Sequence, residues 1–278
     1  MGTTLTVCVL RNTMLLSHPS SPQAAQALAD RLGANACFIA GGTLLQQSWG
    51  ESRAAPVQTQ FINIQHWPHT QQIHRQDGHV RIGAGVRLET ARTHALLAEH
   101  APLLVQAIAE LGAMGVRRLG TLGGNIGWRE GDCCPVLLAM DALVELADGS
   151  RHTLADVLLH PVCPLMVAFW LPIPSADARQ PMVFEKVGYR AAFSPARLRM
   201  ALRWSRPDKG CSIDRITAAA PGLPVHRLLA AEALLATPHD TAPTLTQIRS
   251  ACLQTLPTDL SLMASRLIAG HCNLLMMN

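Results

Sequence analysis

At 278 residues the chain is long enough to bury a substantial core, in one large or two modest domains. Its net charge of +4 is small and evenly spread, and no block of Lys/Arg with interleaved aromatics occurs, which argues against nucleic acid or an anionic membrane as a partner. Charged residues make up 15%, below the quarter usual in soluble proteins; either partner chains cover part of the surface, or the composition is simply biased toward Ala and Leu.

Ser20 and Ser21, then Pro22 to Leu32, then Gly33 predict a capped amphipathic helix with a glycine stop. Ala36 to Ala40 is a short apolar run that ends in Gly41-Gly42-Thr43, so the opening reads as helix, strand, glycine turn. Phe61 to Ile64 and Val80 to Val86 read as further strands. His66, His69, His74 and His79 lie between them among Trp67-Pro68, Gln71-Gln72 and Asp77-Gly78, the composition of a polar connection rather than a metal site. A helix is expected over Leu88 to His100, and Pro102 is placed to start a second. Leu103, Leu104, Ala107, Ile108 and Leu111 mark the buried face of that second helix.

Gly112, Gly115, Gly120, Gly123, Gly124 and Gly127 follow, a density that implies backbone running where side chains do not fit. Pro135 to Met140 is apolar, Ala142 to Ala147 with Asp148-Gly149 reads as strand and turn, and Val167 to Leu171 as another strand. Beyond the short polar segment Ser175 to Pro181, strands are expected over Met182 to Val187, Arg197 to Trp204 and Asp214 to Ala220. Helices are expected over Val225 to Ala236, Leu245 to Leu253 and Leu260 to Leu275, the order of an α+β domain. No repeat of solenoid or propeller type is visible.

The eight cysteines form no Cys-x-x-Cys pair, and Cys133-Cys134 are adjacent, so no metal or cluster site is expected on this chain. Thiols of a reducing compartment are the simplest account. No charged segment leads into a clean apolar stretch at the N-terminus, and the longest apolar run, Leu165 to Leu171, is bounded by Pro164 and Pro172. A cytoplasmic protein without a signal peptide or membrane span is expected.

Two motifs carry the chemistry: Ala40-Gly41-Gly42-Thr43 and Thr121-Leu122-Gly123-Gly124-Asn125. Successive glycine amides can converge on an anion, and each charge-assisted hydrogen bond contributes roughly 1.5–3 kcal/mol, so about six hold a diphosphate without lysine. Arg117, Arg118 and Arg129 are the basic residues near these turns in sequence. A valine at Gly123 is expected to abolish binding by blocking positive φ and the approach of phosphate. Neither motif is a P-loop, and Gly83-Ala84-Gly85 lacks the third glycine of a dinucleotide fingerprint because Leu88 stands there.

Ala40 to Leu45, Arg81-Ile82-Gly83-Ala84, Val116 to Asn125, Pro135 to Ala142 and Phe184 to Arg190 occur in that order and spacing. Over nearly its whole length the chain thus resembles the medium, FAD-binding subunit of the xanthine dehydrogenase and carbon monoxide dehydrogenase family of molybdenum hydroxylases. The resemblance implies an α+β fold: a PCMH-type FAD-binding domain of two α/β subdomains over 1–176, and a smaller C-terminal flavoprotein domain of antiparallel sheet and helices over 177–278. It further implies that Phe38, Ile39, Ala40, Gly41, Gly42, Thr43, Leu44 and Leu45 form the first FAD loop, and that Thr121, Leu122, Gly123, Gly124 and Asn125 form the second. Asp132 would accept a hydrogen bond from the FAD, Lys186 would approach the flavin and stabilise its reduced, anionic form, and Leu111 and Met166 would be apolar contacts that could equally be core.

Three departures stand out: Leu44 replaces the family's aspartate, Trp128 to Gly131 replaces a small-residue stretch in a connection about two residues short, and the C-terminal signature is reduced to Thr258-Asp259-Leu260-Ser261. No catalytic acid, base or nucleophile is implied. Molybdopterin and 2Fe–2S clusters would reside on a large and a small partner subunit, with electrons leaving the flavin for NAD, oxygen or another acceptor. Two rival readings are an assembly subunit that has lost FAD and a self-sufficient flavin oxidase.

Overall fold

The computed structural model describes residues 15–45, 49, 55–56, 58–175, 180–190, 194–205, 212–236 and 243–276, with side chains to 272. The expected domain division at 176/177 lies outside the described residues.

The first lobe contains β1 (Leu15–Ser17), α1 (Pro22–Leu32), β2 (Ala36–Ile39) and β3 (Gln60–Asn63). The strands form a parallel sheet in the order β1-β3-β2. Ser21 Oγ accepts from the Ala24 amide at 3.2 Å, Pro22 occupies the first turn, and Gly33 ends α1 at φ +55°, as the sequence anticipates. Ala25, Ile62 and Trp67 bury themselves together with Ala147 and Leu165 from the second lobe. The Gln26 side chain accepts from the Leu165 amide at 2.9 Å, a polar tie between the two lobes.

The second lobe begins with the hairpin β4 (Ile73–Gln76) and β5 (His79–Gly83), turned through Asp77 and Gly78, both at positive φ. A connecting loop is expected for the histidines, but His74 lies on β4 and His79 on β5, paired as a hairpin at the edge of the sheet. Then come α2 (Leu88–Arg92), α3 (Ala95–His100), α4 (Pro102–Ala109), α5 (Met114–Leu119), α6 (Leu122–Gly127) and α7 (Cys133–Ala139). The single helix expected over 88–100 is broken, because the Thr93 hydroxyl bonds back to the Glu89 carbonyl at 3.1 Å and His94 turns extended. Next are β6 (Leu143–Leu146), β7 (Arg151–Thr153), α8 (Leu154–Leu159) and β8 (Met166–Pro172), completing an antiparallel sheet in the order β4-β5-β8-β6-β7. β7 and α8 were not anticipated; three exposed strand residues and a six-residue helix carry too little periodicity.

The third sheet is an antiparallel meander of β9 (Met182–Gly188), β10 (Ala196–Trp204), β11 (Ile213–Ala220) and β12 (Leu223–Arg227). One face packs Leu198, Met200, Leu202, Ile216 and Ala218 against α9 (Leu229–Ala236), α10 (Leu245–Cys252) and α11 (Thr258–Met276). The other presents Phe184, Ala201 and Ala219 to α7 and joins the core of the second lobe. The helix expected from Val225 starts only at Leu229, because Leu223–Arg227 pairs with β11 as the fourth strand.

On the face of β10 toward α7, two arginines alternate with Ala201. Arg199 pairs with Asp132, the residue that precedes α7, and Arg203 pairs at 2.6 Å with Asp141, just past the helix end. The four steps from Arg199 to Arg203 advance about 13 Å and the seven residues of α7 about 10 Å, so this stretch of β10 runs alongside α7 and is joined to it at both ends. Arg203 also caps the Ala139 carbonyl at 2.9 Å and forks onto both oxygens of Asp214 at 3.1 and 2.9 Å. Replacing Arg203 by Met is expected to lower stability by about 3 kcal/mol, the low end for a broken buried pair because Asp141 and Asp214 reach solvent. Urea unfolding of the full chain should show a lower midpoint at unchanged slope.

Candidate functional site

The first glycine motif leaves β2 at Ile39 and turns back at once, with Gly42 at φ +67°, a left-handed conformation that favours glycine. Gly41 is required for a different reason. A Cβ there would stand 2.1 Å from the carbonyl oxygen of Leu119 and 2.8 Å from the Gly120 Cα, so the turn lies backbone against backbone on the junction of α5 and α6. The Thr43 hydroxyl also faces Gly120. Two residues outside both motifs hold this approach: the Gln65 amide donates to the Ala40 carbonyl, and Arg87 donates to the Leu119 carbonyl and, at 3.1 Å, to Gln65 Oε1. Among the described residues no acceptor meets the amides of Gly41, Gly42, Thr43 or Leu44. Successive amides left without an acceptor in a glycine turn are suited to an anion.

The second motif behaves differently from the expected amide cradle. Thr121 is the N-cap of α6, and its hydroxyl accepts from the Gly124 amide at 3.1 Å. The Leu122 amide donates to Val86 at 3.0 Å, that of Gly123 to Ala84 at 2.8 Å, and that of Asn125 to Thr121 at 3.0 Å. Four of the five amides are therefore engaged within the fold, and among the described residues only that of Thr121 meets no acceptor. Gly123 is not at positive φ, which overturns the conformational reason given for it; a Cβ there would come within 2.8 Å of the Ala84 side chain and 2.9 Å of its carbonyl oxygen. The glycine serves close packing of α6 on the segment after β5.

Asn125 passes the site on toward the third sheet. It is buried, and its side-chain oxygen accepts from the Cys133 amide at 3.1 Å. A Cβ on Gly131 would lie 2.3 Å from both Asn125 oxygens, so the altered loop 128–131 folds tightly around this asparagine. Arg129, at φ +62°, accepts from the Val225 amide at 2.8 Å and thereby ties the loop to β12. Asp132, 5% exposed, binds Lys186 Nζ at 2.8 Å through one oxygen and Arg199 Nε through the other. Lys186 also donates to the Glu110 carbonyl at 2.7 Å, at the C-terminus of α4. The carboxylate retains lone pairs for a further donor. Burial pushes the Cys134 thiol up to about 12 and the Cys133 thiol upward too, so both remain protonated and inert.

Leu111 and Met166 are both buried within the main core, Leu111 next to the Lys186-bound carbonyl and Met166 against Gly127. Phe38 and Ile39 are half-buried on β2. Of the basic residues near the turns in sequence, Arg117 bonds Glu89 at 2.7 Å and the Leu111 and Gly112 carbonyls at 3.0 and 2.8 Å, and Arg129 reaches the His160 carbonyl. Both are structural ties. Arg87, Gln65 and Arg199 escaped the sequence reading; for Arg199 a signal existed, since the alternation of Arg197 to Trp204 already puts an arginine on a face that should be buried. A cavity of about 290 Å³ between Ser21, Trp67, His69 and Glu145 touches neither glycine turn. Among the described residues no group of three metal-ligating side chains occurs, and no helix is long and apolar enough to cross a membrane.

The residues present fit FAD: a cradle that a single Cβ would fill, amides that among the described residues meet no acceptor, and a partly buried cationic cluster beyond Asn125. The family described as FAD binding domain in molybdopterin dehydrogenase matches residues 12–158, more than half of the chain, and the chain belongs to that family, with FAD as its cofactor. No curated protein matches it. Among solved structures it is similar to a carbon monoxide dehydrogenase from Hydrogenophaga pseudoflava, with 23% identity over 92% of this chain and 94% of that one, and a TM-score of 0.72. The quinoline 2-oxidoreductase of Pseudomonas putida 86 gives 20% over 94% and 96%, with a TM-score of 0.72. A reconstituted CO dehydrogenase from Oligotropha carboxidovorans gives 19% over 92% and 95%, with a TM-score of 0.77. At these identities the likeness establishes the fold.

The two glycines should fail differently. Gly41→Ala pushes the turn off Leu119 without entering the core, so flavin content should fall about tenfold or more, the equivalent of one or two charge-assisted bonds, with the melting temperature nearly kept. Gly123→Val overpacks Ala84 and should cost about 1–3 kcal/mol of stability as well as flavin. Flavin-to-protein absorbance and thermal melts of the two variants check both.

The arginine pair Arg92 and Arg117 holds the Glu89 carboxyl down at about 2, against an ordinary value of 4.5. A depressed folded value stabilises above 4.5 and is lost as pH falls toward 2. Melts from about pH 5 to pH 2 should therefore show the wild type losing its advantage over Glu89→Gln on the acid side.

Proposed function

We propose that the chain is the electron-relaying flavin subunit of a heteromeric molybdenum hydroxylase. The observation that carries this reading is the close approach of Gly41 to Leu119, which sets unengaged amides from two distant segments side by side. The diphosphate of FAD would lie on the amides of Gly41, Gly42, Thr43 and Leu44, with the Thr43 hydroxyl and the Thr121 amide beside it. Phe38 to Leu45 and Thr121 to Asn125 are the two binding segments, although Leu122, Gly123, Gly124 and Asn125 act by shaping the wall, since their own amides are engaged.

The flavin ring would extend past Asn125 toward Asp132 and Lys186, with Leu111 and Met166 as apolar wall. Lys186 holds a positive charge there, kept in place by Asp132 and the Glu110 carbonyl. When bound, FAD supplies the electron transfer; the protein orients it and sets the charge around it. Thiols held protonated by burial leave no nucleophile beside it.

The partners would be a large molybdopterin subunit that oxidises the substrate and a small 2Fe–2S subunit that feeds the flavin, with NAD or oxygen as the acceptor, in the cytoplasm. Exposed Met114, Val116 and Leu119 on α5, next to the cradle, support a covering partner at this edge. The division into a FAD-binding domain over 1–176 and a C-terminal domain over 177–278 is supported by the third sheet, which pairs with neither of the other two.

Purification of the full chain with its co-expressed neighbours tests the reading. The bands of oxidised flavin, together with two unlike co-purifying subunits that carry molybdopterin and iron–sulfur, are expected. A folded but colourless chain would support the assembly subunit instead, and a yellow chain turning over a substrate alone would support the self-sufficient oxidase.

A further inference from the structure

Resting on the reading that the flavin of FAD lies toward Asp132 and Lys186, we infer that Arg199 is a second cofactor-binding cation beside Lys186, presenting its Nη1 to an acceptor atom of the flavin. Arg199 on β10 is the direct cross-strand partner of Lys186 on β9, so both side chains leave the sheet on one face, toward α7. Its Nε is fixed on Asp132. Its Nη1 is buried and, among the described residues, meets no acceptor. A guanidinium presents its donors in a rigid fork, so anchoring Nε on the carboxylate fixes the direction of Nη1 as well.

Charge gives the same answer independently. One carboxylate, Asp132, stands against two cations, Lys186 and Arg199, which leaves one surplus positive charge in a largely buried cluster. The neighbouring Cys133 and Cys134, held as neutral thiols by burial, do not offset it. A partly buried cation with a buried spare donor calls for an electron-rich acceptor, and it favours that acceptor more as negative charge builds on it. Arg199 would thus strengthen FAD binding and tilt the flavin toward its reduced form. Asp132 becomes the residue that positions both cations.

Full-length chain, stripped of flavin, is titrated with FAD, and the midpoint potential of the rebound flavin is measured for wild type, Arg199→Met and Arg199→Lys. Arg199→Met should bind FAD about tenfold more weakly and lose about tenfold in preference for the reduced over the oxidised form, which is about 30 mV in the two-electron potential. Arg199→Lys, which keeps the charge but not the forked donor, should show the weaker binding with the potential kept. A merely structural arginine would lower the melting temperature of the flavin-free variants while leaving affinity and potential at wild-type values, and that result overturns the inference. Should Arg199→Met not fold, Arg199→Lys decides alone, and wild-type affinity in it is the overturning result. Failure of the wild-type chain to take up FAD at all would instead remove the proposed function, and this inference with it.

Discussion

Gly41 meets Leu119 with no space for even a methyl group between them, and the candidate site is organised around that contact. Two turns far apart in the chain become neighbours only because one of them lacks a side chain where the other offers a carbonyl. Arg87 and Gln65 close the arrangement by bonding the carbonyls of Leu119 and Ala40, the polar atoms that such close backbone packing would otherwise leave poorly satisfied. With the carbonyls taken up, the amides of the first turn are what remain to face a ligand. At this turn the donors left over are set by which backbone groups are used internally, and side-chain charge enters only farther along, at Lys186 and Arg199.

The two glycine motifs look alike in sequence and do different work. In the first, a turn follows a strand, and among the described residues no acceptor meets the amides of Gly41 to Leu44. In the second, the glycines begin a short helix pressed on Ala84 to Val86, and the fold consumes their amides. In both motifs a missing side chain lets one backbone pack on another, Gly41 on Leu119 and Gly123 on Ala84, and the difference lies in which amides that packing consumes.

α7 carries the site's electrostatics to the C-terminal sheet. It is buried along its whole length, preceded by Asp132 and followed by Asp141, and each of these meets an arginine of β10. The pairing at the start of α7 gathers Asp132, Lys186 and Arg199, and the one past its end gathers Asp141, Arg203 and Arg215. The apolar faces of β9 to β11 close the space between them. A displacement of the third sheet would therefore move Lys186 and Arg199 together, since they are cross-strand partners on β9 and β10.

Much of the local structure was legible in the residues alone. Ser21, Pro22 and Gly33 delimit α1, Pro102 starts α4, and the alternation in Met182 to Ala220 marks three strands, because caps, proline geometry and side-chain period act within a few residues. The series of glycine and Phe-Glu-Lys motifs likewise carried the family, since their order is a property of the chain. Only the tertiary structure decided that Leu223–Arg227 is a strand, that the amides of Leu122 and Gly123 are engaged, and that Arg87 and Arg199 meet Leu119 and Asp132. Each of those depends on a partner from another element: β11 for the strand, the Ala84 to Val86 carbonyls for the amides, and Leu119 and Asp132 for the arginines. A short segment's pattern does not state what will stand opposite it, and hydrogen bonds and ion pairs are settled by that opposite group.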